Sequence, residues 1–163
     1  MKNGAFTLIE ILIVIAIISV LMSLAVPQYR KYQWKAKSTE VKVILSAIAS
    51  MQEAYSSEKG VFLTSNWNPG GASSKKRSWN KSGNLENIVF SVKGGVFCDY
   101  AVAKGDYSRN PEGASPEDGE TEATDAVDIT MISRCDIDGD GKYAYYTITD
   151  ETTEVSGPYG DDF

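Results

Sequence analysis

Two hydrophobic patterns follow one another along the first third of the chain. From Phe6 to Val26 the sequence is almost unbroken apolar, 21 residues with one formal charge, Glu10. As a helix rising ~1.5 Å per residue, that run is long enough to cross a bilayer. Beyond Pro27 the pattern changes. Val41, Ile44, Leu45, Ile48, Met51 and Tyr55 are spaced three and four apart, which places them on one face of an amphipathic helix. Lys37, Glu40, Lys42 and Glu53 take the other faces, and Gly60 after Lys59 is a suitable stop. Together the two patterns predict one helix over residues 6–58, ~80 Å long, membranous first and amphipathic later. Pro27 removes a helical donor and clashes with the preceding turn, so a kink or local melting is expected there. Ser19 and Ser23 are small and let helices approach closely.

The pattern then loses its helical period. Residues 60–86 are rich in Ser, Asn, Gly and Lys and read as a long loop carrying Trp67 and Trp79. Asn87–Val92 and Val96–Val102 flank Gly94-Gly95 and predict a hairpin. Gly105–Thr124, acidic and holding Pro111 and Pro116, reads as an exposed loop. Val127–Arg134 and Tyr143–Thr149 form a second strand pair around Asp136–Gly141, and an acidic, turn-rich tail follows from Asp150. A helix followed by antiparallel strands is an α+β arrangement, a long helix packed on a small sheet.

Composition narrows the function classes. The 163 residues carry a net charge of −6, which argues against nucleic acid as a whole-surface partner. The absence of His removes the commonest general base and metal imidazole. No nucleophile elbow, phosphate-cradling Gly loop or Cys-x-x-Cys is present, so nothing recommends catalysis and no enzyme is expected. Lys75-Lys76-Arg77 and Lys81 flank Trp79. That combination could grip single-stranded DNA, but it better describes a solvated loop whose charges meet an acidic neighbour, and no specific nucleic acid is expected.

The run Phe6-Thr7-Leu8-Ile9-Glu10, the apolar stretch behind it and Pro27-Gln28-Tyr29 resemble the N-terminus of type IV pilins and their pseudopilin relatives. The resemblance covers roughly residues 4–58 and implies a pilin-like fold. It also implies a division into a leader peptide (1–5), a transmembrane or filament-core helix (6–27) and a globular head (28–163). A prepilin peptidase would cut between Ala5 and Phe6, and Phe6 would be N-methylated. Glu10 would then pair with the N-terminal ammonium of a neighbouring copy. The family usually has Gly before the Phe, whereas here Ala5 stands there and Gly4 precedes it. Cutting between Gly4 and Ala5 is the alternative, but the cut at Ala5–Phe6 keeps the usual spacings to Glu10 and Pro27. The implied life of the chain runs from storage in the inner membrane to a helical homo-oligomer on the cell surface, built by the pilus assembly machinery. Adhesion, twitching motility or DNA uptake would follow.

Other readings of the same residues stay open. Lys2, an apolar core and Ser23-Leu24-Ala25 also describe an ordinary secretory signal peptide. A generic membrane anchor fits too. Arg30, Lys31, Lys35 and Lys37 follow the span, and the positive-inside rule would put that side in the cytoplasm, against the family topology. Within the family, a pseudopilin of a type II secretion system is the alternative to a pilus subunit. Outside it, the alternative is an anchored or secreted binding domain that never polymerises.

Extracytoplasmic placement makes a disulfide between Cys98 and Cys135 the natural reading, against two free buried thiols. Closing that loop would stabilise by on the order of 4 kcal/mol. Asp136, Asp138 and Asp140, with Gly141 for the bend, match the first half of a calcium loop. The position of the bidentate Glu holds Thr147, leaving Asp150 and Glu151 to fold back. The same residues also suit a plain Asp-Gly turn. Some pseudopilin relatives hold a structural calcium, and no other cofactor is expected.

Overall fold

One helix organises the chain in the computed structural model, which describes residues 7–81, 83–88, 90–122 and 129–160. Helix α1 spans Leu8–Lys59. Thr7 is its N-cap: its hydroxyl accepts from the backbone N–H of Glu10 at 3.3 Å, and its own backbone N–H donates to the Glu10 carboxylate at 3.0 Å. This reciprocal capping box satisfies two donors that a helix start otherwise leaves orphaned. At the far end Gly60 adopts the left-handed conformation (φ 73°) and donates to the Ser56 carbonyl at 2.8 Å, as a helix stop requires. The helix runs without interruption through Pro27, so the expected local melting does not occur. Proline costs this helix the bond to the Ser23 carbonyl, and the turns on either side hold.

The second half of α1 buries Val41, Ile44, Leu45 and Ile48, as their spacing predicts. Met51 departs from the expected face and is 42% exposed, while Gln52, 1% exposed, takes the buried place. The reason is the 3.6-residue period: three turns beyond Val41 bring Gln52, not Met51, under the sheet. Its amide is fully used there. Nε2 donates to the Leu63 carbonyl at 2.6 Å and Oε1 accepts from the Leu63 N–H at 3.1 Å, so a helix side chain imitates a strand partner.

The strands are β1 (Val61–Asn68), β4 (Asp99–Lys104), β5 (Gly119–Glu122), β6 (Ile129–Cys135), β7 (Ala144–Thr149) and β8 (Ser156–Gly160). They form one antiparallel sheet in the order β5-β1-β4-β6-β7-β8. A two-residue pair, β2 (Arg77–Ser78) with β3 (Gly95–Val96), and the short helix α2 (Asn84–Asn87) complete the described elements, with a 3-10 turn at Pro111–Gly113. Alternate residues Tyr100, Val102, Ile129, Met131, Tyr146 and Ile148 face the stripe of α1 and build the core with it. The α+β class, a long helix on a small antiparallel sheet, is as expected.

Four expectations are corrected. Residues 61–68 are a strand, not the start of a long loop; its Thr, Ser and Asn positions are satisfied by the sheet and by neighbouring side chains, which hides the strand in a polar composition. Among the described residues, which exclude Val89 of the expected strand Asn87–Val92, no hairpin forms around Gly94-Gly95. The segment before it holds α2, whose Leu85 enters the core one turn before Ile88, while β3 pairs with β2 and β4 pairs with β1 and β6. The loop expected over Gly105–Thr124 contains β5, which forms the edge beside β1, with Leu63 opposite Glu120. The tail after Asp150 returns as β8 beside β7. The second hairpin does form, β6 with β7, from Thr130 opposite Thr149 to Cys135 opposite Ala144. Residues 127–128, where it was expected to begin, lie outside the described residues.

Candidate functional site

The residues on which assembly would depend sit at the bare end of α1. Between Leu8 and Val26 the large apolar side chains are 43% to 78% exposed. This is the one helix among the described residues long and apolar enough to cross a membrane. Ser19 and Ser23 turn their hydroxyls inward, donating to the Ile15 and Val20 carbonyls at 2.7 Å each, so they present little polarity along the span. Glu10, expected to wait for a positive partner, is already engaged: besides the capping box, the Thr7 hydroxyl donates to its carboxylate at 2.8 Å. The helix N-terminus also favours a negative charge at this position. The Thr7-x-x-Glu10 spacing is a capping-box signature, and it starts the helix at Leu8 rather than Phe6. Ala5 and Phe6, between which processing is expected, and the alternative Gly4 lie outside the described residues.

Cys98 and Cys135 are joined, with their Cα atoms 4.5 Å apart. Cys98 immediately precedes β4 and Cys135 ends β6, so the bridge ties two neighbouring strands of one sheet. Beside it lies a polar clamp that sequence reasoning missed. Asp99 is fully buried and accepts from Arg77 Nη2 at 2.7 Å, Arg134 Nε at 3.1 Å and the backbone N–H groups of Gly70 and Ala72 at 3.1 and 2.8 Å. Two guanidinium groups and two amides compensate the desolvated carboxylate. Arg134 also stacks over Trp67, 4.3 Å from the ring centroid. The clamp fastens the segment after β1 across the disulfide. No local motif announces it, because Asp99, Arg77 and Arg134 meet only through the fold.

Two charges of the basic segment meet acidic neighbours. Lys76 meets Glu40 at 3.3 Å and Arg77 meets Asp99. Trp79 is 7% exposed and packs against Phe90 and Tyr100, with ring centroids 5.4 and 6.0 Å away. A core tryptophan offers no platform for a base.

In the aspartate loop one carboxylate oxygen from each of Asp136, Asp138 and Asp140 lies within 4.8 Å of the others. Oxygens about 2.4 Å from a shared calcium ion would be separated by at most about that distance, so the donor set fits a hard cation. The loop is also well made as a turn: Asp136 accepts from the Gly139 N–H at 2.8 Å, and Asp140 from the Lys142 N–H at 2.8 Å and from Lys142 Nζ at 3.2 Å. That backbone N–H, first, and the Lys142 ammonium hold the Asp140 carboxyl below its ordinary range. The second half of a calcium loop does not form. Thr147 is buried in β7, and Asp150 and Glu151 follow the opposite end of that strand, roughly 17 Å away at ~3.4 Å per residue.

A helix with a bare apolar half, long and apolar enough to cross a membrane, and a small disulfide-tied sheet on its other half define an α+β protein of a distinct class. Comparison with known proteins sharpens that class. Residues 1–26 match the prokaryotic N-terminal methylation motif. Over 58 residues, 36% of this chain, the sequence is 43% identical to the type IV major pilin protein PilA of Myxococcus xanthus. Over 89 residues, 53% of this chain, it is 34% identical to the type IV major pilin protein PilE of Neisseria gonorrhoeae. These matches span 26% and 53% of those relatives' lengths. No solved structure matches the chain. The resemblance drawn from Phe6–Glu10 and the apolar run behind it therefore stands: the chain carries a prepilin-type N-terminal methylation motif and is similar in sequence to type IV major pilins.

Proposed function

We propose that the chain is a structural subunit of a type IV pilus. Residues 6–27 hold it in the inner membrane after export of the head, 28–163. A prepilin peptidase removes residues 1–5 between Ala5 and Phe6, and Phe6 becomes the methylated N-terminus. The subunit is then extracted and polymerised by the pilus machinery into an extracellular filament serving adhesion, motility or DNA uptake. The observation that carries this reading is the bare face of α1 from Leu8 to Val26, beneath a head that closes its own core without it. Such a face is stable in lipid, and equally against the same face of other copies. Glu10 supplies the register. Once Phe6 is a free amine, its ammonium and a neighbour's carboxylate neutralise each other inside the apolar bundle, so that neither is buried alone. The Thr7 hydroxyl and N–H hold the carboxylate at the helix start until then.

Electron microscopy of sheared surface filaments, with mass spectrometry of their subunit, tests the proposal. The expected result is filaments built of a chain beginning at N-methyl-Phe6. A chain beginning at Val26 would establish a secretory signal peptide instead, and one beginning at Ala5 would move the cut by one residue.

The convergent carboxylates of Asp136, Asp138 and Asp140 favour a second reading, a pseudopilin of a secretion system with a calcium-pinned loop. In either case the residues would hold the ion weakly, with three carboxylates in place of a full loop.

A further inference from the structure

We propose that a second copy of this chain docks the edge strand of its head into a basic groove at the root of α1. The inference rests on the filament reading above and names a contact between heads that the helix bundle does not supply.

The groove lies between α1 and the β7–β8 end of the sheet, encloses about 550 Å³, and is walled by Lys31, Tyr32, Lys35 and Lys42 on one side and Tyr146 and Pro158 on the other. The three lysines are exposed, and none of the ion pairs among the described residues engages them. These charges follow the apolar span, on the side where the positive-inside rule disfavours them, so membrane insertion gives no reason for them.

The complement is on the same chain. Residues 28–104 carry twelve Lys and Arg against five Asp and Glu, whereas residues 105–163 carry three against sixteen. The acidic half presents Glu117, Asp118 and Glu120, all exposed, at the start of β5. Glu117 and Glu120 also enter no ion pair among the described residues. Strand β5 is one edge of the sheet and β8 the other, so the acidic strand and the basic groove sit on opposite flanks of the head. Patches on opposite flanks of one head cannot both face the same partner copy, so a closed two-fold dimer would leave one of them unpaired. They make a heterologous contact, which repeats into an open helical array unless the rotation closes a ring.

The geometry fixes the stagger. Glu120 lies opposite Leu63, which is bonded to Gln52, so the acidic patch sits at the level of Gln52 along α1. From Lys35 to Gln52 the axial rise is roughly 25 Å at 1.5 Å per residue. Copies with parallel helices would therefore dock with one displaced by about that distance along the filament. Each exposed pair is worth little alone, but several pairs repeated at every subunit, with like charges opposed in every wrong register, set which neighbour fits.

The test is charge reversal and exchange in the full chain, expressed in cells that assemble it. Lys31→Glu with Lys35→Glu, and separately Glu117→Lys with Glu120→Lys, are each expected to lower filament yield at least tenfold at unchanged subunit level. Combining all four substitutions is expected to bring the yield back to within about threefold of wild type. A zero-length carbodiimide should link Lys31 or Lys35 of one wild-type copy to Glu117, Asp118 or Glu120 of another, read by peptide mapping of mixed isotope-labelled subunits. Wild-type yield in either double variant, failure of the exchange to restore both defects, or links confined to single chains would overturn the docking and leave the pilus reading intact. Absence of filaments from the wild type would overturn both.

Discussion

The two halves of α1 are the same element under opposite conditions. Val41, Ile44, Leu45 and Ile48 are buried by the sheet of their own chain, whereas Leu8 to Val26 meet nothing in it. The half whose burial the chain can complete alternates apolar with polar positions; the half it cannot complete is apolar all round. An amphipathic helix needs one partner surface, and an all-round apolar helix needs to be surrounded. The contrast teaches where stability and where function reside: head-domain variants should move a melting transition, and span variants should move assembly.

The largest effects on stability are expected around the disulfide. Asp99→Ala leaves Arg77 and Arg134 facing each other without their carboxylate, and should cost about 4 kcal/mol. Replacing Cys98 and Cys135 together by Ala should cost a similar amount, about 4 kcal/mol by loop entropy. Denaturant melts of the full chain in micelles read both, and an unchanged midpoint in the first would show the clamp to be dispensable.

A matched pair probes the comparison itself. Leu45→Ala opens a cavity in the core and should lower head stability by about 3 kcal/mol. Leu21→Ala, the same change in the bare half, should leave the head's melt where it was. Equal losses would erase the distinction between the halves.

Gln52→Ala strands the backbone N–H and carbonyl of Leu63 and should cost about 2 kcal/mol. Gln52→Glu should cost as well, since a carboxylate cannot donate to the Leu63 carbonyl. If the Glu variant matched wild type at neutral pH, the paired amide bond would not be what holds β1 to the helix. The smallest effect is expected from calcium. Millimolar calcium should raise the melting midpoint by a few degrees over chelator through Asp136, Asp138 and Asp140. Superimposable curves would reduce that loop to a turn.

Much of this contrast was legible in the sequence because long periodic signals leave little to tertiary context. The apolar run, the three-four spacing after Pro27 and Gly60 placed the helix to within two residues of Leu8–Lys59. The strands were less legible. β1 reads as polar because the Ser65 and Asn68 side chains are buried with hydrogen-bond partners, and β5 reads as a loop because it is short, acidic and at the sheet's edge, where charged side chains stay exposed. Gly94-Gly95 resembled a hairpin turn, but Gly95 serves a close approach to Arg77, whose carbonyl lies 3.1 Å from where a Cβ would stand. Glu10 stands out as the one charge in an apolar run, whereas its bonds to Thr7 depend on where the helix starts. Asp99 and Gln52 carry no local signal, since their partners come from distant segments.

Glu10→Gln tests the central claim, that the bare half of α1 is covered by other copies through an exchanged charge. The amide keeps the size of the side chain and removes its charge, and membrane retention depends mainly on the apolar run. The Phe6 ammonium would then enter the bundle uncompensated, at about 3–5 kcal/mol per subunit. Quantitative electron microscopy and immunoblotting should find normal subunit in the membrane and at least tenfold fewer filaments. Filaments of wild-type number and length would contradict the account, showing that Glu10 serves only to cap its own helix.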